Sequence, residues 1–164
     1  MKKIFILLLL VSTTVSAQKK LDKLLDKWNT RNVPYISVET LALPKTKAIL
    51  LDAREEKEFN VSHLKGAIRV GYDDFKLKET LKKIPKDKNT KIVVYCSLGI
   101  RSETVAHKLI EEGYTNVYNL YGGIFEWKNA NFKVVDTLGN ETEKVHAFSK
   151  NWGKWLKKGK KVYE

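Results

Sequence analysis

Along the chain, short apolar runs alternate with stretches whose apolar residues recur at helical spacing. Tyr35 to Val38, Ala48 to Leu51, Ala67 to Val70, Lys91 to Tyr95 and Asn116 to Leu120 read as strands. Between them, Val38 to Leu43, Glu55 to Phe59, Asp73 to Lys82 and Ser102 to Glu112 read as helices. Ile49-Leu50-Leu51 and Ile92-Val93-Val94 are apolar at every position, as strands covered on both faces must be. Strand and helix in alternation predict an α/β fold of three layers, a central, mainly parallel five-stranded sheet flanked by helices. Ahead of it, Leu21, Leu24, Leu25 and Trp28 fall on one face of a short amphipathic helix. Behind it, Phe148, Trp152 and Trp155 lie at i, i+4 and i+7 and predict a C-terminal helix with an aromatic face.

The first residues have a different pattern. Lys2 and Lys3 precede the unbroken apolar run Ile4 to Val11, and Val15-Ser16-Ala17 ends in the small residues a signal peptidase accepts. A run of eight is too short to span a hydrocarbon core, which takes about 20 residues. Residues 1–17 are therefore expected to be a cleaved export signal, the mature protein beginning at Gln18 in a periplasm or beyond. The remainder divides into an amphipathic helix and linker at 18–34, a domain at 35–135 and an extension at 136–164.

Composition narrows the function classes. The 164 residues carry a formal charge of +12, but the basicity comes from 27 lysines against four arginines. Lysine suits a solvated surface better than bidentate base readout, and no nucleic-acid partner is expected. Lys144 to Glu164 concentrates seven lysines beside one acid. Packed on the domain by its aromatic face, this tail would leave its lysines in water; as a docking element it would meet an acidic protein or an anionic membrane surface. His63, His107 and His146 have no metal-ligand spacing with one another or with the single cysteine. No metal or organic cofactor is expected.

That cysteine, Cys96, ends the strand Lys91 to Tyr95. Cys96-Ser97-Leu98-Gly99-Ile100-Arg101 is then a tight turn into the helix at Ser102, which Gly113 stops. The carboxyl edge of a parallel sheet is where ligands bind. A helix N-terminus, the N–H groups of a tight loop and Arg101 would all favour a thiolate, which makes Cys96 a candidate nucleophile.

The stretch "IVVYCSLGIRSETVAHKLIEEGYTNVYNLYGGIFEWKNA" resembles the active-site strand, C-x4-R loop, following helix and Gly-Gly…Trp segment of the single-domain rhodaneses, a family of sulfurtransferases. Upstream, "ILLDAREEKEFNVSHLKGAI" resembles that family's Asp-x-Arg, acidic-aromatic, His and Gly-Ala hallmark, with Ser62 and Lys65 departing from the usual residues. The resemblance implies a ping-pong transfer: Cys96 takes sulfane sulfur from a donor such as thiosulfate and passes it to cyanide or a thiol. It further implies that Ser97, Leu98, Gly99, Ile100, Arg101 and Ser102 form the persulfide loop. Arg101 would neutralise an anionic donor or leaving group. Ser102, an early helical residue, would bond a loop N–H through its hydroxyl, with an added role in holding the persulfide as the alternative. Asp52, Arg54 and Glu58 would brace the site, the latter two as an Arg–Glu pair, with Arg54 touching substrate as the alternative. Gly122-Gly123 would let the backbone pass close to the loop. Phosphatases and arsenate reductases of the same fold close a loop one residue longer, which makes them the weaker reading. A carrier or interaction module that loads sulfur without turnover is the other alternative.

Overall fold

The computed structural model of the chain describes residues 19–164, so the expected export signal and Gln18 lie outside the described residues. The chain divides into two compact units, the second running Asn32–Glu164. In the first, residues 19–28 form helix α1, with Leu21 and Leu25 buried, Leu24 half-buried and Trp28 exposed.

The second unit is built on β1 (Tyr35–Ile36), β2 (Ile49–Asp52), β3 (Ile68–Arg69), β4 (Ile92–Tyr95) and β5 (Val117–Leu120). They form one sheet in the order β1-β5-β4-β2-β3. Every pairing is parallel, with Asp52 beside Tyr95 and Val94 beside Asn119 in register. The helices are α2 (Val38–Ala42), α3 (Glu56–Val61), α4 (Leu77–Lys83), α5 (Arg101–Glu111) and α6 (Gly123–Asn129). The fold is the expected α/β sheet with helical layers.

Alternate strand residues go to opposite faces. Leu51, Ile92, Val94 and Val117 pack with Val105, Ala106 and Leu109 of α5 in one core, to which Leu77 and Leu81 of α4 add. Val93 and Tyr95, of the other parity, are equally buried, which is why these runs carry no polar position. The chain leaves β2 towards β3 at one edge and leaves β4 towards β5 in the opposite direction. The carboxyl ends of β2 and β4 thus flank a topological switch point, where an open sheet parts into a crevice.

Two elements differ from the sequence expectation. The helix expected over Asp73 to Lys82 begins only at Leu77. Before it, the Tyr72 and Asp73 N–H groups donate to Glu55 Oε1 at 3.2 and 3.0 Å, which holds that segment as a turn. The C-terminal aromatic helix does not form. Val134–Val135 (β6) pairs antiparallel with Glu141–Thr142 (β7), and Lys144–His146 (β8) pairs parallel with Lys160–Val162 (β9) around a single helical turn, Lys150–Gly153 (α7). Phe148 sits at φ 61°, outside the helical region, and Ser149 then caps α7 by accepting the Trp152 N–H. Val145, Ala147 and Leu156 are fully buried, so the segment packs through aliphatic residues.

Candidate active site

The loop Cys96 to Arg101 sits at the carboxyl end of β4, and its conformation is imposed from behind. Cys96 O accepts the Ile124 N–H at 2.9 Å and Ser97 O accepts the Phe125 N–H at 3.1 Å. The first turn of α6 therefore draws the loop carbonyls away from the thiol and leaves loop N–H groups to face it. Gly123 makes this approach possible: its φ is +56°, and a Cβ there would lie 2.3 Å from Cys96 O. Only glycine accommodates both demands.

On the inner side, the Gly99 N–H donates to Cys96 Sγ at 3.2 Å. Gly99 has φ +101°, and its carbonyl accepts from Asn119 Nδ2 at 2.8 Å. The Ser102 hydroxyl donates to Asn119 Oδ1 at 2.8 Å and lies 3.5 Å from Cys96 Sγ. It bonds the Asn119 side chain in place of the expected loop N–H, and its approach to the sulfur is the placement that the alternative role at the persulfide requires. One hydrogen serves two acceptors, and a sulfur anion competes for it better than an amide oxygen does. Asn119, fully buried in β5, escaped the sequence reading; its trace there is a lone amide in the apolar strand Val117–Leu120.

Burial works against ionisation of Cys96. The Arg101 charge, the Ser102 hydroxyl and N–H and the Leu98 N–H outweigh it and hold the thiol below its ordinary range. The N-terminus of α5 adds the field of its free N–H groups.

Arg101 is otherwise engaged. Its Nη1 and Nη2 donate to Glu58 Oε2 and Oε1, each at 2.7 Å, and Nη2 also donates to Ser97 Oγ at 3.1 Å. Ser97 Oγ in turn donates to Glu58 Oε1 at 3.1 Å, while the Glu55 N–H donates to Oε2 at 3.1 Å. Burial disfavours the Glu58 charge, yet the hydrogen bonds and charge of Arg101 keep the carboxyl below the usual carboxylate range. The arginine–glutamate pair is thus Arg101 with Glu58, where the sequence reading paired Arg54. Arg54 belongs to Asp52: its Nη2 lies 2.6 Å from Oδ2 and also donates to Ser62 O at 2.7 Å, with both side chains fully buried. Arg54 further stacks over Tyr95, whose hydroxyl accepts the Leu64 N–H. Asp52 and Arg54 brace the segment that follows α3 and do not reach the thiol.

A pocket of about 120 Å³ opens on Cys96. Ser97, Leu98, Ile100 and Arg101 line it from the loop, and Phe148 and Trp152 line it from the C-terminal segment. The two aromatics were legible as an apolar stripe; their place at the thiol was not. Buried His146 next to them has Nδ1 accepting the Phe148 N–H at 3.1 Å, and burial holds its imidazole below its ordinary range.

A parallel α/β sheet that ends in a thiol cupped by backbone N–H groups, with a helix N-terminus and an arginine behind it, defines a cysteine-loop α/β domain. The chain belongs to the rhodanese family: the family description "Rhodanese-like domain" matches residues 38–130. Among curated proteins it is 34% identical over 119 residues to a tRNA uridine(34) hydroxylase of Hamiltonella defensa, covering 71% of this chain and 32% of that one. It is 33% identical over 120 residues to the adenylyltransferase and sulfurtransferase UBA4 of Candida albicans, covering 71% and 27%. The chain thus spans a third or less of the length of these relatives. Among solved structures, a rhodanese-related protein of Thermoplasma volcanium superposes with a TM-score of 0.54 at 26% identity, covering 62% of this chain and 97% of that one. A thiosulfate sulfurtransferase of Pseudomonas aeruginosa gives 0.57 at 25% identity, covering 77% and 24%.

Proposed function

We propose that the protein is an exported sulfurtransferase that moves sulfane sulfur from a donor such as thiosulfate to cyanide or a thiol through a persulfide on Cys96. The observation that carries this reading is the cup around the sulfur: Gly99 N–H at 3.2 Å, the Ser102 hydroxyl at 3.5 Å and a pocket directly over the thiol. In the first step the Cys96 thiolate attacks the outer sulfur of the donor. A sulfur–sulfur bond forms at Sγ, the donor's own sulfur–sulfur bond breaks, and its electron pair leaves with sulfite. The loop N–H groups that hold the thiolate then solvate the persulfide anion, which extends the charge by one atom into the pocket. In the second step cyanide or a thiolate attacks that outer sulfur and Cys96 leaves as thiolate, so the cycle needs no external oxidant or reductant.

The experiment is thiocyanate formation from thiosulfate and cyanide, compared between the native protein and Cys96→Ser. Turnover lost in the variant supports the reading. Turnover that survives defeats it, and so does thiosulfate loading by the native protein without release to any small acceptor, which is the behaviour of a carrier. For export, mass spectrometry of the protein from the periplasmic or external fraction should give Gln18 as the first residue, and an intact Met1 in that fraction overturns the assignment.

A further inference from the structure

The wall opposite the persulfide loop comes from outside the residues that match the family. Phe148 and Trp152 lie beyond residue 130, in the segment between β8 and β9, yet they line the pocket at Cys96. Phe148 is held there at some cost. It is a bulky residue at φ 61°, a conformation such residues rarely adopt, and it is nearly half exposed beside the pocket it lines. Two contacts fix it: its N–H donates to His146 Nδ1 at 3.1 Å, and its ring lies 5.0 Å from the Arg101 guanidinium carbon. Ser149 caps α7 immediately afterwards and so sets Trp152 on the same side. Leu98 and Ile100 of the loop complete an apolar surround.

The charge of the pocket agrees with its shape. Arg101 is the cationic residue of the lining, and three of its five N–H donors are engaged, two with Glu58 at 2.7 Å and one with Ser97 Oγ at 3.1 Å. A compact dianion such as thiosulfate would enter an apolar mouth and find that guanidinium already paired with the Glu58 carboxylate. A donor with one apolar group would instead bury it against the rings while its outer sulfur reaches the thiolate.

We infer that Phe148 and Trp152 form a specificity wall that selects organic sulfane donors, compounds in which an aryl or alkyl group carries the transferable sulfur. This rests on the sulfurtransferase reading and narrows its donor class. With an organic thiosulfonate the step balances as before. Cys96 Sγ bonds to the sulfane sulfur, the bond between that sulfur and the sulfonyl sulfur breaks, and the electron pair leaves as the organic sulfinate.

The test compares benzenethiosulfonate, methanethiosulfonate and thiosulfate as donors to the full chain, each rate divided by that for free cysteine in solution to remove intrinsic reactivity. The native protein should use the phenyl donor with kcat/KM about tenfold above the methyl donor, the scale on which an apolar pocket discriminates. Thiosulfate should fall below both. In Phe148→Ala and in Trp152→Leu, each checked for a cooperative thermal transition, the phenyl-to-methyl ratio should fall to about two or less. A native ratio near one, or a ratio retained in the variants that fold, overturns the inference. The native ratio decides the matter if neither variant folds. Loading of Cys96 without a preference sinks only this inference. No adduct from any donor sinks the sulfurtransferase reading as well, so the two failures are distinguishable.

Discussion

Glu58 of α3 and Arg101 of α5 meet in a two-pronged ion pair, each prong 2.7 Å long, across the carboxyl edge of the sheet. The pair joins the two helices that leave the switch point in opposite directions, and it sits directly behind the loop that carries the thiol. Glu58 is fully buried and the Arg101 side chain is 16% exposed, which makes the pair a structural clamp as much as a source of charge.

Glu58→Gln removes the charge and keeps the shape, leaving a guanidinium that is buried and half satisfied. The expected cost is about 3 kcal/mol of unfolding free energy, read by urea denaturation at neutral pH. Because the carboxyl is held below its unfolded value, its contribution is complete above that value and disappears as pH falls through the lower folded one. The difference between native and variant stability should therefore shrink on acidification; a constant difference would show that the carboxyl charge contributes nothing.

Arg101→Lys keeps a charge but cannot reach both carboxylate oxygens, so the loop loses its brace. Persulfide loading should fall by about tenfold or more with thiosulfate and with an organic thiosulfonate alike, measured by single-turnover kinetics. A loss confined to thiosulfate would mean that Arg101 binds the donor anion, contrary to its engagement with Glu58.

Alkylation of Cys96 reads its ionisation. The midpoint of the iodoacetamide rate against pH should lie below about 8.5, the value of a free cysteine, since Arg101, Ser102 and the loop N–H groups outweigh burial. Below the midpoint the rate should drop about tenfold per pH unit as thiolate is lost. Between the folded and unfolded values, the native protein should gain stability over Cys96→Ala with rising pH. A midpoint above 8.5 would mean that burial dominates.

Gly123→Ala places a Cβ against the carbonyl of Cys96 and demands a left-handed backbone from alanine. A loss of about 2–4 kcal/mol is expected, together with a loop that no longer presents its N–H groups to the thiol. Near-native stability and loading would show that the close approach of α6 is dispensable.

The sheet and the loop were legible because their signals are local. Uniformly apolar strands, a thiol at a strand end and an arginine at the start of the next helix are read from adjacent residues. Partnerships across the sheet are not local. Arg54 stands nearer Glu58 in sequence than Arg101 does, but Asp52 closes on it first, two residues away, and frees Glu58 for α5. Asn119 hides for the same reason, since its role depends on β5 lying beside β4. In the C-terminal segment the periodicity of Phe148, Trp152 and Trp155 is genuine, but a left-handed residue and a fresh helix cap turn it into a wall for the pocket.

The most direct test is the intact mass of the protein after incubation with a sulfane donor, thiosulfate or benzenethiosulfonate, followed by removal of excess reagent. The native protein should gain the mass of one sulfur atom, located at Cys96 by peptide mapping and discharged by cyanide, and Cys96→Ser should gain nothing. An unchanged mass, with turnover of an aryl phosphate or arsenate in its place, would contradict the account and assign the loop to oxyanion chemistry.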